Sequence, residues 1–442
     1  MDLPIITRRR YGSFKGGIEL PDDKDQTLAV PIHRCRSPGR LRVPLSPCGG
    51  AAAKPLASRG QQVAAGERIA AAEDDSAVDV FAPLAGTVGG LTAVTVAGRY
   101  GLASSPAIEL TELSEPRPIA PAEEVFDWRS AGPETLRSLL AAGGLATYRE
   151  SIEPLAALIA RARGSRCGVL IANVMEDQPY VTADHRLLAE QGRDVVRGLA
   201  LLARAIGAAR VFLVADQRRT EAYRGCVQLA QQLGIEQVAL SHKYPTGADA
   251  ILVNILTKRE MPPGGSTMQV GAAVVGAATC FAAYRQVACG QPPTGRVVTV
   301  SGDRLSGAGN FFVPFGMGCV ELAGQAEPPL LHGGPMTGSR CGDDVVVGPA
   351  TNAVLAIGAG APPAGPCIRC AWCTDHCPAR LNVSAMNDAF ELSQVDRAER
   401  LGAMACVECG VCSYVCPARL PLTQRMKRLK HAIRALLPIG GT

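Results

Sequence analysis

Cys367-Ile368-Arg369-Cys370-Ala371-Trp372-Cys373-Thr374-Asp375-His376-Cys377-Pro378-Ala379-Arg380-Leu381 is followed, 39 residues further on, by Cys406-Val407-Glu408-Cys409-Gly410-Val411-Cys412-Ser413-Tyr414-Val415-Cys416-Pro417-Ala418-Arg419-Leu420. Both copies read Cys-x2-Cys-x2-Cys-x3-Cys-Pro. Three thiolates on one tight loop each reach a different iron of one cubane. The fourth, just before Pro, lies too far along the chain and reaches the neighbouring cluster. The expected ligand sets are therefore Cys367, Cys370, Cys373 and Cys416 for one [4Fe–4S] cluster, and Cys377, Cys406, Cys409 and Cys412 for the other. Zinc is the competing ion, but its sites use four ligands and rarely such a run closed by Cys-Pro.

The interval between the motifs points to helix. Ser384 to Leu401 carries Ala385, Ala389, Leu392 and Val395 at near-helical spacing. Residues 358–442 are thus expected to form an α-helical dicluster ferredoxin-like domain that passes single electrons. Its end, Gln424 to Leu437, combines Arg425, Lys427, Arg428, Lys430 and Arg434 with Met426, Leu429, Ile433 and Leu437 at helical spacing. Such a basic amphipathic helix lies on an anionic membrane, docks on an acidic protein, or packs its apolar side on its own domain.

The remaining eight of 16 cysteines (Cys35, Cys48, Cys167, Cys226, Cys280, Cys289, Cys319 and Cys341) are scattered singly. They read as small core residues rather than disulfide staples, which a 442-residue chain does not need. His33, His185, His242 and His332 share no ligand spacing. Net charge is +5, and no stretch interleaves basic with aromatic residues, so nucleic acid is not an expected partner. Met1 to Arg10 lacks the apolar core of a secretory signal. Val270 to Ala283, the longest apolar run, falls short of the roughly 20 residues a bilayer span requires and reads as a buried helix.

Upstream of the cysteines, four segments separate. Residues 1–29 form a polar leader. Residues 30–115 alternate short β-type runs with Gly and Pro. There, Val63-x-x-Gly66-x-x-Ile69 and Val80-Phe81-Ala82-Pro83-x-x-Gly86-Thr87-Val88 resemble the barrel-sandwich hybrid fold of biotinyl and lipoyl carriers. The stretch Glu73 to Asp79, where those carriers hold their cofactor-bearing Lys, contains none, so no swinging arm is expected. Residues 122–290 alternate apolar strands (Val169 to Ala172, Val211 to Val214, Val238 to Leu240) with helical patterns at Asp184 to Ile206 and Arg219 to Leu233. This predicts a doubly wound, Rossmann-like α/β domain. Residues 291–357 are β-rich again.

In this order the modules resemble the RnfC-type subunit of Rnf electron-transport complexes and, more distantly, the flavin-bearing NADH-oxidising subunit of respiratory complex I. The resemblance runs through Phe14-Lys15-Gly16-Gly17-Ile18, Pro179-Tyr180-x-Thr182-Ala183-Asp184, Lys243-Tyr244-Pro245-Thr246-Gly247, Pro263-Gly264-Gly265 and Gly333-Gly334-Pro335-Met336-x-Gly338. The last implies a β-grasp domain over 291–357. The family oxidises NADH on a bound FMN, and the resemblance carries a residual flavin pocket onto Glu176, Asp184 and Lys243.

The sequence departs from the family at that site. The family's Gly-Gly-Ala-Gly-Phe-Pro-Thr loop is Gly143-Gly144-Leu145-Ala146-Thr147-Tyr148-Arg149 here, followed by Glu150. Close backbone approach to a flavin or phosphate needs residues without side chains, which Leu145 and Tyr148 do not provide. The family's acidic motif has become Asn173-Val174-Met175-Glu176-Asp177-Gln178-Pro179-Tyr180. FMN is therefore a doubtful cofactor. The expected function is an electron-transfer subunit of a membrane-associated redox complex, relaying electrons through two clusters without its own NADH oxidation. The expected partners are the other subunits and a soluble carrier such as ferredoxin. The expected location is the cytoplasm, peripheral to the inner face of the cell membrane. Alternatives are an FMN-dependent NADH dehydrogenase subunit, a corrinoid reductase and a structural docking subunit.

Overall fold

The computed structural model describes residues 11–98, 101–149, 152–326, 329–358 and 363–436. Met1 to Arg10, Glu150 and Leu437 lie outside the described residues. The barrel segment folds as two antiparallel sheets. Leu41–Pro44, Gly101–Thr111, Gly86–Gly98 and Gln62–Val63 are neighbours in one, and Lys54–Pro55, Arg68–Ala71 and Val80–Phe81 form the other. Leu41, Ile69, Ile108 and Leu110 fill the space between them. The first strand of this stretch, Ile32–Arg34, leaves the barrel and pairs in parallel with Gly309–Pro314.

The α/β segment is built on a parallel sheet ordered Ile235–Leu240, Arg210–Asp216, Val169–Val174, Ala272–Gly276. Its strands are buried on both faces and accordingly read as continuous apolar runs. The helices Ala183–Ile206 and Ala277–Cys289 pack together over one face, and Asp249–Thr257 covers the other. The order reverses between Val169–Val174 and Ala272–Gly276, the position where open α/β sheets form a crevice at their carboxyl ends.

Two helix expectations within this α/β segment differ from the structure. Val270 to Ala283 is not one helix: Ala272–Gly276 is a buried strand and the helix starts at Ala277. A short apolar run carries no period, and the Val274-Val275 pair suits the pleated sheet. Arg219 to Leu233 is also interrupted, as a 3-10 turn over Gln217–Tyr223 followed by Val227–Gln232.

A mixed six-stranded sheet follows, with Gly295–Ser301 and Ala353–Ala356 at its centre and Ile32–Arg34 at one edge. The cysteine segment is helical: Trp372–Asp375, Val383–Glu391, Val395–Arg400, Val411–Tyr414 and Leu422–Leu436. The expected continuous helix from Ser384 to Leu401 breaks at Ser393, which takes a left-handed conformation (φ 54°). The Gln394 amide closes the preceding helix on the Ala389 carbonyl. Met426, Leu429 and Ile433 of the last helix are buried against this segment, so its apolar side is occupied within the domain.

Candidate functional site

The eight motif cysteines line two neighbouring cavities. One is lined by Cys367, Cys370, Cys373 and Cys416, the other by Cys406, Cys409, Cys412 and Cys377. Each motif thus sends its fourth cysteine across to the other cavity. The backbone repeats with the sequence: left-handed residues occur at Arg369 and Glu408, Ala371 and Gly410, and Arg380 and Arg419. The helices beginning at Val383 and Leu422 correspond as well. Among the described residues no three His, Cys, Asp or Glu side chains gather as they would around a single metal ion.

The two cavities differ in setting. Cys367 and Cys370 are exposed, and beside them Ile368 and Trp372 present 65% and 52% of their surface to solvent. The second cavity lies under the α/β domain. There the buried Tyr244 donates its hydroxyl to the Cys409 carbonyl at 2.5 Å, and Val411 packs with Leu20 and Tyr244. Burial pushes the Cys406 thiol up to about 12 and Cys412 up to about 11. A free thiolate is unfavourable in such a place, and a bound cationic iron centre is what would favour it. The donor set and its placement therefore fit an iron–sulfur cluster at each cavity.

The N-terminal segment braces this junction. The Gly17 amide donates to the His376 carbonyl at 2.8 Å, while Ile18 and Tyr244 exchange backbone hydrogen bonds. Gly16 has φ 72°, and a Cβ there would stand 2.5 Å from the Cys377 carbonyl oxygen. Only glycine suits both demands.

At the carboxyl edge of the parallel sheet, the chain's own side chains occupy the crevice. Gly144 is pressed against Asp79 and Phe81 of the barrel, and Leu145 is in the core. Ala146–Tyr148 pairs with Ile152–Pro154 as a hairpin. It carries Tyr148 to the end of Ala272–Gly276, about as close as a side chain on Gly276 would allow. The Arg296 guanidinium stacks on the Tyr148 ring, 4.4 Å from its centroid. Arg149 binds Asp249 at 2.6 Å and the Gly247 carbonyl at 2.9 Å.

Of the three pocket residues carried over from the resemblance, two come together. The Glu176 carboxylate accepts from the Asp184 and His185 amides, each at 2.8 Å, and caps the Ala183–Ile206 helix. Burial, reinforced by the Asp184 charge, raises Glu176 to about 7. Burial raises Asp184 too, opposed by Arg296 and Arg149. Lys243 is turned elsewhere: its ammonium donates to the Phe14 carbonyl at 2.9 Å and sits over the Phe14 ring. Sequence reasoning missed Lys24, which is buried and donates to the Glu176 carbonyl. His242, which shares no ligand spacing, is held 2.5 Å from Asp216. Nothing in the polar leader marked Lys24 as a residue that plugs this edge.

The fold and the paired cysteine sites define a multidomain iron–sulfur electron carrier. Three family profiles match: an RnfC barrel-sandwich hybrid domain over 12–111, a Nuo51 FMN-binding domain over 154–285, and a 4Fe-4S dicluster domain over 364–417. The FMN-domain match begins beyond Gly143–Arg149. The C subunit of the ion-translocating oxidoreductase complex of Rhodobacter capsulatus is 31% identical, over 95% of this chain and 82% of its own. The C subunit of the proton-translocating ferredoxin:NAD(+) oxidoreductase complex of Clostridium ljungdahlii is 28% identical, over 85% and 84%. The corresponding subunit from Edwardsiella ictaluri is 30% identical, over 98% of this chain and 55% of the relative. The chain belongs to the RnfC family, the C subunits of ion-translocating oxidoreductase complexes. It carries two [4Fe–4S] clusters and retains the FMN-binding domain as a fold.

Proposed function

We propose that this chain is the electron-relaying subunit of a membrane-associated ferredoxin:NAD-type oxidoreductase complex and does not itself oxidise NADH. In this reading Cys367, Cys370, Cys373 and Cys416 hold an outer cluster, and Cys377, Cys406, Cys409 and Cys412 an inner one. Each cluster, when bound, takes up and gives up one electron. The chain's residues hold the two sites side by side, shield the inner one beneath Tyr244, and leave the outer one open at Cys367 and Cys370. The observation that carries the reading is this pairing of a more enclosed site, where Cys377 is buried, with a site open at Cys367 and Cys370, together with a crevice filled by Tyr148, Arg149 and Arg296. Among the described residues no helix is long and apolar enough to cross a membrane, so attachment is assigned to partner subunits. A soluble ferredoxin-type carrier or a neighbouring subunit is the proposed partner at the exposed site.

One observation favours the second reading, a flavin-bearing dehydrogenase subunit. Tyr148 Oη and Arg296 Nη2 are buried without a hydrogen-bond partner among the described residues, beside the start of the Ala277–Cys289 helix. Anaerobic purification followed by addition of NADH separates the two. The relay predicts about eight irons per chain and broad iron–sulfur absorption that responds to dithionite but not to NADH. A flavin band bleached by NADH would establish the second reading instead.

A further inference from the structure

The 39-residue repeat is regular in backbone but not in charge. Glu408 of the second copy corresponds to Arg369 of the first, and Lys430 corresponds to Glu391. In the first copy these charges face water. Arg369, 75% exposed, stands 3.4 Å from Asp388, and Glu391, 48% exposed, pairs with Arg425. In the second copy the ammonium is buried. Lys430 is 9% exposed, donates to the Cys406 carbonyl at 2.7 Å and meets Glu408 at 2.6 Å.

Reduction of a cluster adds one negative charge, which a nearby cation favours. A cation held out of water acts over several ångströms, because neither solvent nor salt screens it well. Glu408 opposes Lys430, but its carboxylate is 32% exposed. Water weakens its field more than that of the ammonium against Cys406. Burial alone makes the inner site the harder one to reduce, since the more charged form is the one disfavoured in a low-dielectric setting.

We propose that Lys430 is a tuning residue for the inner cluster, raising its reduction potential towards that of the exposed outer one. Electrons are then shared between the two sites instead of being stranded on one. The proposal rests on the assignment of Cys377, Cys406, Cys409 and Cys412 to one cluster. The test is an anaerobic redox titration of the full chain, followed by electron paramagnetic resonance with iron counted in each sample. Lys430→Met is expected to lower one of the two one-electron steps. The reduced-to-oxidised ratio there should fall about tenfold, equivalent to about 59 mV, with the other step unmoved. Lys430→Arg should restore the wild-type value, and Glu408→Gln should shift the same step upward. Unchanged steps in an eight-iron Lys430→Met protein would overturn the proposal, as would equal shifts of both steps. If Lys430→Met loses iron, Glu408→Gln decides, and no upward shift overturns it. A wild-type chain holding only about four irons would instead overturn the cluster assignment beneath it.

Discussion

Replacing Gly410 by Ala tests how the inner cysteine loop is seated. Gly410 has φ 87°, and a Cβ there would stand 2.3 Å from the Met336 carbonyl oxygen. Its counterpart in the first copy is Ala371, at φ 65° and exposed. The fold therefore tolerates a side chain in this left-handed conformation where the space is open. The conformational cost is about 1–2 kcal/mol, and displacing the Met336 carbonyl adds about 1–3 kcal/mol of overpacking. A total of about 3 kcal/mol is a large share of the stability of any domain. The shift should loosen the contact of Val411 and Cys409 with Tyr244 and Met336. Anaerobic urea unfolding followed by circular dichroism should show a clearly lower midpoint for Gly410→Ala, with iron lost before the helices melt. Ala371→Gly should stay within about 0.5 kcal/mol of the parent, since relief of the left-handed strain is offset by added freedom in the unfolded chain. A Gly410→Ala protein with wild-type midpoint and full iron would refute the claim that this loop is clamped by the Met336 carbonyl.

Crossed ligation predicts that Cys416→Ser perturbs the same paramagnetic signal as Cys370→Ser, leaving the signal altered by Cys409→Ser intact; the opposite grouping would contradict it. A pH effect follows from His332, whose imidazole is bonded to Thr351 at 2.8 Å and held down at about 4 by burial and then by Arg296. Because its folded pKa lies below the unfolded one, the contribution of His332 to stability falls as pH drops below about 6.5, by about 1.4 kcal/mol at about pH 5.5. His332→Gln should flatten that part of the urea-midpoint profile; an unaltered slope would show that the ring is not buried in its neutral form.

The grouping of the cysteines around two cavities was legible because its information is local, in the spacing of the two motifs. The strands Val169–Val174 and Arg210–Asp216 were legible as apolar runs, and the Ala183–Ile206 helix through its period. Ala272–Gly276 was not, since an Ala- and Gly-rich apolar run is compatible with strand and helix alike. The break at Ser393 carried no Gly or Pro to announce it. Lys430 read as one of five basic residues on an amphipathic helix, and only the packing against Cys406 singles it out. The hairpin side chains over Gly276 came from a departure visible in sequence, but the stacking of Arg296 on Tyr148 joins residues far apart in the chain.

On the proposed ligand assignment, the exchange of fourth cysteines between the two cavities has a consequence for biosynthesis. A nascent chain that has emerged through Cys377 possesses three of its ligands for one site and one for the other. The inner set is complete only when Cys412 has left the ribosome, and the outer set only when Cys416 follows it. Iron–sulfur loading must therefore wait for nearly the entire repeat, after which both sites become fillable almost together. Truncation anywhere between Cys377 and Cys412 leaves no finished centre, so chains terminated there cannot enter the complex as half-competent conductors.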